Sequence, residues 1–277
     1  MSPPTSLYHH CARLLRAAPR LLITAGAGMG VDAGLPDFRG TAGLWRAYPA
    51  LRQPGLSFHD IANPAAFHRW PRLAWGFYGH RLALYRQTPP HPGYALLRDL
   101  AEAPGHSSFV VTSNVDGHFR GAGYAATTLY EIHGSIHHWQ CLTPCSDQLW
   151  PASSQTPVID DRSCHWLGEL PTCPRCGDLA RPNILMFNDA GWIEHRSAQQ
   201  GHRFAEWLAS GPAPLVLELG AGTAINTLRQ MGDRQGNPLL RINPREAEVH
   251  RSDHISVPAT ALEALTRLHA AWRATEP

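Results

Sequence analysis

A short apolar stretch runs directly into a glycine-rich turn, and this junction constrains the fold more than any other segment. The apolar residues are Leu21 to Thr24, and the turn begins Gly26-Ala27-Gly28. A buried strand that ends in such a turn brings backbone N–H groups close to a bound pyrophosphate. The turn has the spacing G-x-G, but Val31 stands where the dinucleotide-binding fingerprint has its third glycine. By themselves, the glycines are more typical of an ordinary turn before a helix.

The residues that follow make the segment more specific. Pro36-Asp37-Phe38-Arg39 supplies a rigid turn, a carboxylate, an aromatic ring and a guanidinium. Together these groups can hold a ligand that is part phosphate, part sugar and part heteroaromatic ring. Nicotinamide adenine dinucleotide (NAD) is a ligand of this kind. The segment therefore predicts an NAD site that includes Asp37, Phe38 and Arg39.

Length and composition are those of a globular protein. The 277 residues suffice for one large domain, with or without a small insert. A formal net charge of +2 argues against a broad nucleic-acid surface, so we expect no direct nucleic-acid binding. No apolar run approaches the roughly 18 residues of a membrane span, and we find no signal peptide. We therefore expect no membrane partner and a cytoplasmic location.

Apolar runs alternate with amphipathic segments along the chain. The predicted strands are 21–24, 109–112, 129–132, 215–219 and 240–243, and the predicted helices are 1–20, 94–100, 195–209 and 259–273. The aromatic residues of 59–90, interrupted by Pro71, indicate a helical hairpin, and 184–187 is a further apolar run. Strands that alternate with helices predict an α/β fold with a Rossmann-like parallel sheet, covered by helices on both faces.

Four cysteines occur as two local pairs. They are Cys141 and Cys145, then Cys173 and Cys176 in the sequence C-P-R-C. In a chain without an export signal, such pairs are typical of metal ligands, and four thiolates can close a tetrahedral structural Zn²⁺ site. The first pair has three residues between its cysteines, one more than the second pair, so Cys164 with His165 is an alternative to Cys145. Buried free thiols are a further alternative. We expect residues 137–183 to form an inserted, small zinc-binding module.

Polar turns follow two of the predicted strands. Asn114 and Asp116 lie in the turn after 109–112, and His133 directly follows 129–132. Ligands of open α/β sheets bind at the carboxyl ends of the strands, so these side chains are candidates for a shared site. A neutral imidazole at His133 could take a proton from a sugar hydroxyl near pH 7. The alternatives are ordinary turn chemistry for Asn114 and Asp116, and a structural histidine.

The order of these motifs resembles that of the sirtuins, the NAD-dependent protein deacylases. The resemblance extends over about residues 20–270. Its motifs are the glycine turn with 36–39, T-S-N-V-D at 112–116, H-G at 133–134, the cysteine pairs, R-P-N-I-L-M-F-N-D at 181–189, G-T-A at 222–224 and I-N at 242–243. It implies a single catalytic domain over 1–277, in which 59–90 is a helical segment of the small domain.

The resemblance also implies roles for individual residues. Those that would bind NAD are Gly26, Ala27, Gly28, Asp37, Phe38, Arg39, Ser113, Asn114, Asp116, Gly222, Thr223 and Asn243. The catalytic residues would be His133, Asn114 and Asp116. The acyl oxygen of an acylated protein or peptide would attack the ribose and expel nicotinamide, and His133 would then activate a ribose hydroxyl. The products would be free lysine, nicotinamide and O-acyl-ADP-ribose, and Phe187 would help to pair the substrate as an added strand.

The segment Phe77-Tyr78-Gly79-His80-Arg81 bears on the choice of acyl group. It resembles the Tyr-x-x-Arg of sirtuins that remove succinyl and malonyl groups. Three-residue spacing puts Tyr78 and Arg81 on one helix face, where a phenol and a guanidinium could bind an acyl carboxylate. The alternative is a packed aromatic ring beside a solvated arginine.

Several positions depart from the sirtuin pattern. Ser113 replaces a glutamine, Gly30 and Ala224 replace serines, Asn188-Asp189 replaces Gly-Glu, and Thr227-Leu228-Arg229 replaces a proline-bearing segment. These departures keep three alternatives open: mono-ADP-ribosyl transfer to protein, hydrolysis of NAD, and a non-catalytic sensor of NAD or ADP-ribose.

Overall fold

The computed structural model describes residues 3–36, 40–52, 55–154, 156–235 and 238–274. Within them the α-helices are α1 (Thr5–Ala17), α2 (Gly28–Val31), α3 (Gly40–Ala47), α4 (Phe58–Ile61), α5 (Pro64–Arg69), α6 (Pro71–Gln87), α7 (Gly93–Ala101), α8 (His118–Gly121), α9 (His195–Ala209), α10 (Thr227–Gln235) and α11 (Ala261–Ala274). The strands are β1 (Arg20–Ala25), β2 (Ser107–Thr112), β3 (Leu129–Glu131), β4 (Gly134–Cys141), β5 (Trp150–Pro151), β6 (Ile159–Asp160), β7 (His165–Trp166), β8 (Ala180–Ile184), β9 (Leu215–Leu219), β10 (Leu239–Ile242) and β11 (Ile255–Val257). Short 3₁₀ turns lie at Pro49–Leu51, Ala126–Thr128 and Ala152–Ser154.

The main sheet has six parallel strands in the order β11-β10-β9-β1-β2-β3. The strand order reverses at β1. Strands β2 and β3 extend the sheet on one side of β1, and strands β9 to β11 extend it on the other. Leu22 of β1 lies between Phe109 of β2 and Val216 of β9. The predicted α/β class and parallel sheet are confirmed.

Helices cover both faces of this sheet because its strands are apolar on both. On one face Leu21 and Ile23 pack with helices α1, α7 and α11, and on the other Leu22 packs with α9 and α10. The alternation follows from the two-residue period of a strand. A strand buried on both faces has an almost continuous apolar sequence, which is why β1, β2, β3, β9 and β10 could be predicted.

A second hydrophobic core lies outside the main sheet. It is formed by helices α4 to α6 and by an antiparallel sheet of order β5-β4-β8. Strands β4 and β8 were not predicted, because both carry polar residues and a register shift interrupts their pairing between Ser135 and Trp139. The apolar run 184–187 is not a strand, since β8 ends at Ile184.

The aromatic segment contains three successive helices, so the prediction of a helical hairpin was wrong in detail. Helices α5 and α6 each begin with a proline, Pro64 and Pro71. Proline suits the first helical turn because the N–H groups there have no partner within the helix. Pro71 therefore marks the start of α6 and does not interrupt a helix.

Helix α6 has two glycines, Gly76 and Gly79, on the face that meets the segment around Cys164. A Cβ atom built on Gly76 would lie 1.8 Å from the backbone oxygen of Cys164, and one on Gly79 would lie 2.8 Å from the ring of Trp166. Cys164 itself has a φ of 55°, which is uncommon for a residue with a side chain. The two glycines therefore allow β6 and β7 to pack directly on the helix.

We expect Gly76→Ala to lower the free energy of unfolding by about 3 kcal/mol, because the contacted atom is backbone and the chain must shift. Denaturant unfolding would measure the change. Gly121→Ala is the matched control, since its added Cβ would meet only Pro90 at an ordinary 3.6 Å. Equal stability of the two variants would contradict the packing described for α6.

Candidate functional site

Two glycine turns meet at the carboxyl ends of β1 and β9. The Gly26 N–H donates to the Leu219 oxygen at 2.9 Å, and the Gly28 N–H donates to the Gly220 oxygen at 3.0 Å. A Cβ on Gly28 would lie 2.6 Å from the Cα of Gly220, so this approach requires glycine. The contact lies at the point where the strand order reverses, which is where open α/β sheets bind their ligands.

The turn after β2 lies against the first glycine turn. The Thr112 hydroxyl donates to the Ala25 oxygen at 2.8 Å and accepts from the Asn114 N–H at 3.1 Å. The Asn114 side chain then donates from Nδ2 to the Gly26 oxygen at 3.0 Å. Ser113 joins the same contact, because its N–H donates to the Ala25 oxygen at 3.2 Å. Residues Ser113 and Asn114 and the glycine turn are thus brought together.

Asp116 is buried beneath this turn, with 7% of its surface exposed. Its Oδ1 accepts from the His118 N–H at 2.8 Å, and its backbone oxygen accepts from Nε2–H of His137 at 2.8 Å. Gly117 has a φ of 78°, and a Cβ there would lie 2.7 Å from His137. His137 thus holds the Asp116 backbone.

His133 is half-buried and lies in the two-residue turn between β3 and β4. Its backbone oxygen accepts from the Leu185 N–H at 3.0 Å, so the histidine lies between the main sheet and the second core. Burial lowers the pKa of His133, and a hydrogen bond with the Ser113 backbone opposes that shift. The imidazole is therefore neutral near pH 7 and adjoins the turn that carries Asn114.

A third group of predicted residues lies at the ends of β9 and β10. Asn243 is 1% exposed, donates from Nδ2 to the Ala221 oxygen at 3.0 Å and accepts two backbone N–H groups at Oδ1. The Thr223 hydroxyl donates to Glu246 at 2.7 Å, and Gly222 lies beside the same carboxylate. Asn243 therefore supports the Gly220–Thr223 turn from behind.

The segment after β8 is held by a buried ion pair. Arg181 binds Asp189 through two hydrogen bonds of 2.7 and 2.8 Å, and both side chains are fully buried. Asn188 has a φ of 53°, a conformation that asparagine tolerates better than most residues with a side chain. At the two positions where the sirtuin pattern has Gly-Glu, Asn188 is thus left-handed and Asp189 supplies the carboxylate that binds Arg181.

Phe187 lies on the rim of this segment. Its N–H donates to the Ala62 oxygen at 2.9 Å, and its ring stacks on His59 with 4.4 Å between centroids. Leu185, two residues earlier, is exposed. The segment therefore presents an apolar side chain beside His133.

Tyr78 and Arg81 lie on α6 and are 1% and 8% exposed. The guanidinium carbon of Arg81 is 5.7 Å from the Tyr78 ring centre. Burial raises the pKa of Tyr78, and Arg81 opposes that shift, so the phenol stays neutral. The alternative of a solvated arginine is wrong, because Arg81 is buried and binds the hydroxyl of Tyr85.

The four paired cysteines form one cluster, in which all the sulfur atoms lie within 4.8 Å of one another. The Sγ atoms of Cys141 and Cys176 are 3.7 Å apart, as are those of Cys145 and Cys173. Tetrahedral zinc with sulfur ligands at about 2.3 Å sets an S–S distance of about 3.8 Å. The cluster therefore fits a Zn²⁺ ion.

One thiol of the cluster, that of Cys173, has a lowered pKa. Burial acts to raise the pKa of Cys173, but backbone N–H groups of Cys176 and Arg175 lower it to about 7. A thiolate is the form that binds a metal. Cys164, which was an alternative ligand, lies instead against Gly76 and is outside the cluster. Cys145 is thus the cysteine that joins the cluster.

Three predicted residues cannot be placed, and three residues that contact the site or its supports were not predicted. Asp37, Phe38 and Arg39 lie outside the described residues. Tyr85, Glu246 and Arg229 were missed, although Tyr85 could have been found from its four-residue spacing from Arg81. Arg229 donates to the backbone oxygens of Ala221 and Glu246, which no local pattern predicts.

Among the described helices, none is both long and apolar enough to cross a membrane.

The chain is similar in sequence to known deacylases. The sequence model of the Sir2 family matches residues 26–204. The chain is 36% identical to an NAD-dependent protein deacylase of Pyrococcus furiosus, over 65% of each chain. It is 28% identical to one of Aeropyrum pernix, over 93% of this chain and 94% of that one. It is also 30% identical to the mitochondrial deacylase sirtuin-5 of Canis lupus familiaris, over 68% of this chain and 62% of that one. The match thus spans less than two thirds of the length of the first and last of these relatives.

Solved structures agree on the fold. A Sir2 homologue in complex with NAD superposes with a TM-score of 0.73 at 23% identity, over 96% of this chain and 93% of that one. Sir2 bound to an acetylated peptide superposes with a TM-score of 0.67 at 19% identity, over 94% of this chain and 96% of that one. At these identities the superpositions establish the architecture alone.

Proposed function

The chain belongs to the Sir2 family, and from this premise we propose that it removes acyl groups from lysine side chains in an NAD-dependent reaction. The products are free lysine, nicotinamide and O-acyl-ADP-ribose. One observation carries the proposal: the glycine turn, Asn114 and His133 converge at the carboxyl edge of the parallel sheet. The deacylases similar to this chain support it.

NAD would bind at the carboxyl ends of β1 and β9, where the two glycine turns meet. Because Gly26 and Gly28 have no Cβ, the first glycine turn can approach the Gly220–Ala221 backbone at the point where β1 and β9 end. Further contacts would come from Ala27, Ser113, Asn114, Asp116, Gly222 and Thr223, from Asn243 through the turn that it supports, and from Asp37, Phe38 and Arg39. When bound, NAD would supply a ribose carbon activated by its bond to nicotinamide, which the acyl oxygen attacks.

Each polar residue has a distinct task in this proposal. Asn114 and Asp116 orient the nicotinamide end, because their turn is fixed to the Ala25 and Gly26 backbone. His133 accepts the proton of a ribose hydroxyl, which a neutral imidazole can do. Phe187 and the exposed Leu185 hold the peptide as an added strand along the segment after β8.

We expect the acidic limb of kcat/KM to lie below about pH 6.5, the ordinary pKa of histidine. Burial lowers the pKa of His133, so its neutral, proton-accepting form persists to lower pH. Activity should then be lost only as the pH falls through this lowered pKa. A pH–rate profile from pH 5 to 8 would measure the limb. A limb above pH 7 would contradict the described burial of His133.

Tyr78 and Arg81 support a preference for acyl groups with a terminal carboxylate, such as succinyl or malonyl. Both lie on α6 in the second core, and a guanidinium beside a neutral phenol is suited to binding a carboxylate. The cysteine cluster would hold Zn²⁺ in a structural role, because four thiolates leave no ligand position open to water.

The proposal is tested by measuring nicotinamide release from NAD in the presence of acetylated, succinylated or unmodified peptide. Release that requires an acylated peptide supports deacylation. Release without any peptide would indicate hydrolysis of NAD, and mass added to the unmodified peptide would indicate ADP-ribosyl transfer. NAD binding without release would indicate a sensor.

A further inference from the structure

Helix α6 carries a pair of residues, Arg81 and Tyr85, whose side chains meet one turn apart. The Tyr85 hydroxyl accepts from Nε of Arg81 at 2.9 Å and from Nη2 at 2.6 Å. Both side chains are buried, with 8% of Arg81 and 9% of Tyr85 exposed. Four-residue spacing on a helix brings such side chains together, so the contact follows from local geometry.

Two bonds to one oxygen fix the plane of the guanidinium. Nε and Nη2 lie on the same edge of the group, so the phenol oxygen sets both its position and its rotation. The rings of Phe77 and Tyr85 lie 5.4 and 5.3 Å from the guanidinium carbon. Arg81 is thus ordered before any substrate binds.

The Tyr85 hydroxyl is suited to orienting the Arg81 guanidinium near pH 7. Burial raises the pKa of Tyr85, with Arg81 opposing the shift, so Tyr85 remains a neutral hydroxyl. A neutral hydroxyl orients the cation without cancelling its charge. That charge is what attracts a carboxylate.

We propose that Tyr85 is a positioning residue, which holds Arg81 ready to bind the terminal carboxylate of a succinyl- or malonyl-lysine substrate. This inference rests on the proposed function and names the group that determines its acyl preference. Ordering Arg81 in advance strengthens binding, because the side chain does not lose its freedom on contact with substrate.

Tyr85→Phe tests the proposal, because it removes the hydroxyl and keeps the ring. We expect the KM for a succinylated peptide to rise about tenfold, because Arg81 loses both hydrogen bonds to the hydroxyl that orients it, with kcat nearly unchanged. Both constants for the acetylated form of the same peptide should stay unchanged. Tyr124→Phe is the matched control, since Tyr124 is also buried and donates to the Tyr94 oxygen, away from α6. We expect it to leave the ratio of the two peptides unaltered.

Equal effects of Tyr85→Phe on both peptides, or no effect on either, would overturn the proposal, as would a wild-type preference for the acetylated peptide. Calorimetric binding of the two peptides in the absence of NAD separates this inference from the proposed function. If no peptide supports nicotinamide release, the proposed function fails. The inference then still requires tighter binding of the succinylated peptide by wild-type protein than by Tyr85→Phe.

Discussion

Replacing His133 with alanine should lower the rate of acyl removal by about a thousandfold, within the range known for loss of a general base. NAD binding should change little, because the glycine turns are held by their own backbone hydrogen bonds and by Asn114. The reason for the loss is that no proton acceptor would remain at the ribose hydroxyl. Steady-state kinetics and calorimetric titration with NAD would measure the two properties separately.

A second histidine variant controls for this experiment. His202 on α9 is 76% exposed and contacts Glu206 of the same helix, so His202→Ala should retain both activity and NAD binding. Nicotinamide release by His133→Ala without acyl transfer would agree with a role after nicotinamide leaves. Unchanged turnover of the acylated peptide would contradict the role given to His133.

Replacing Cys173 with alanine should remove the metal and unfold the module around the cysteine cluster. Structural zinc contributes about 10–16 kcal/mol of binding free energy in small zinc domains, which is more than a small module gains from its own core. Wild-type protein should contain one zinc ion per chain. Elemental analysis, circular dichroism and the melting temperature would measure the metal content and the loss of structure.

Cys164→Ala is the matched control for the metal. Cys164 is a buried cysteine in the same stretch of chain, but its backbone packs on Gly76 and its thiol is outside the cluster. This variant should retain zinc and lose only about 1 kcal/mol of stability, a typical effect of one core substitution. A Cys173→Ala protein with the wild-type zinc content and melting temperature would contradict a structural zinc site.

The main sheet could be predicted because its strands are buried on both faces. Leu21, Leu22 and Ile23 are fully buried, so no polar position interrupts the apolar run. In β8, by contrast, Arg181 and Asn183 are fully buried although both are polar. Their partners are Asp189, Gln140 and the Ile193 backbone, which are brought near only by the folded chain. A local pattern cannot predict such a strand.

The candidate site likewise has one part that the sequence predicts and one part that it does not. His133, Asn114 and the glycine turn follow strands that the pattern predicts, so their meeting at one sheet edge could be anticipated. The contacts that hold these residues in place could not be predicted from the sequence. Gly28 contacts Gly220, Asn243 binds the Ala221 backbone, and Arg229 binds the Glu246 backbone. Each of these contacts joins segments that only the folded chain brings together. The roles of the individual residues remain predictions.

The departure at 188–189 illustrates why a motif is best judged by its geometry. Asn188 adopts the left-handed conformation that a glycine would take most readily, and Asp189 binds Arg181 through both oxygens. The substituted residues therefore maintain the segment that carries Phe187. The loss of Gly-Glu from the sequence accordingly weakens the proposed capture of a peptide less than the letters alone indicate.

The most direct test of the central claim is to follow the acyl group itself. Purified protein would be incubated with NAD and a peptide whose acyl group carries ¹³C, and the products would be separated and weighed by mass spectrometry. We predict equal amounts of nicotinamide, deacylated peptide and ADP-ribose that carries the labelled acyl group. Labelled acyl group left on the peptide while nicotinamide accumulates would contradict the claim that this chain is a deacylase.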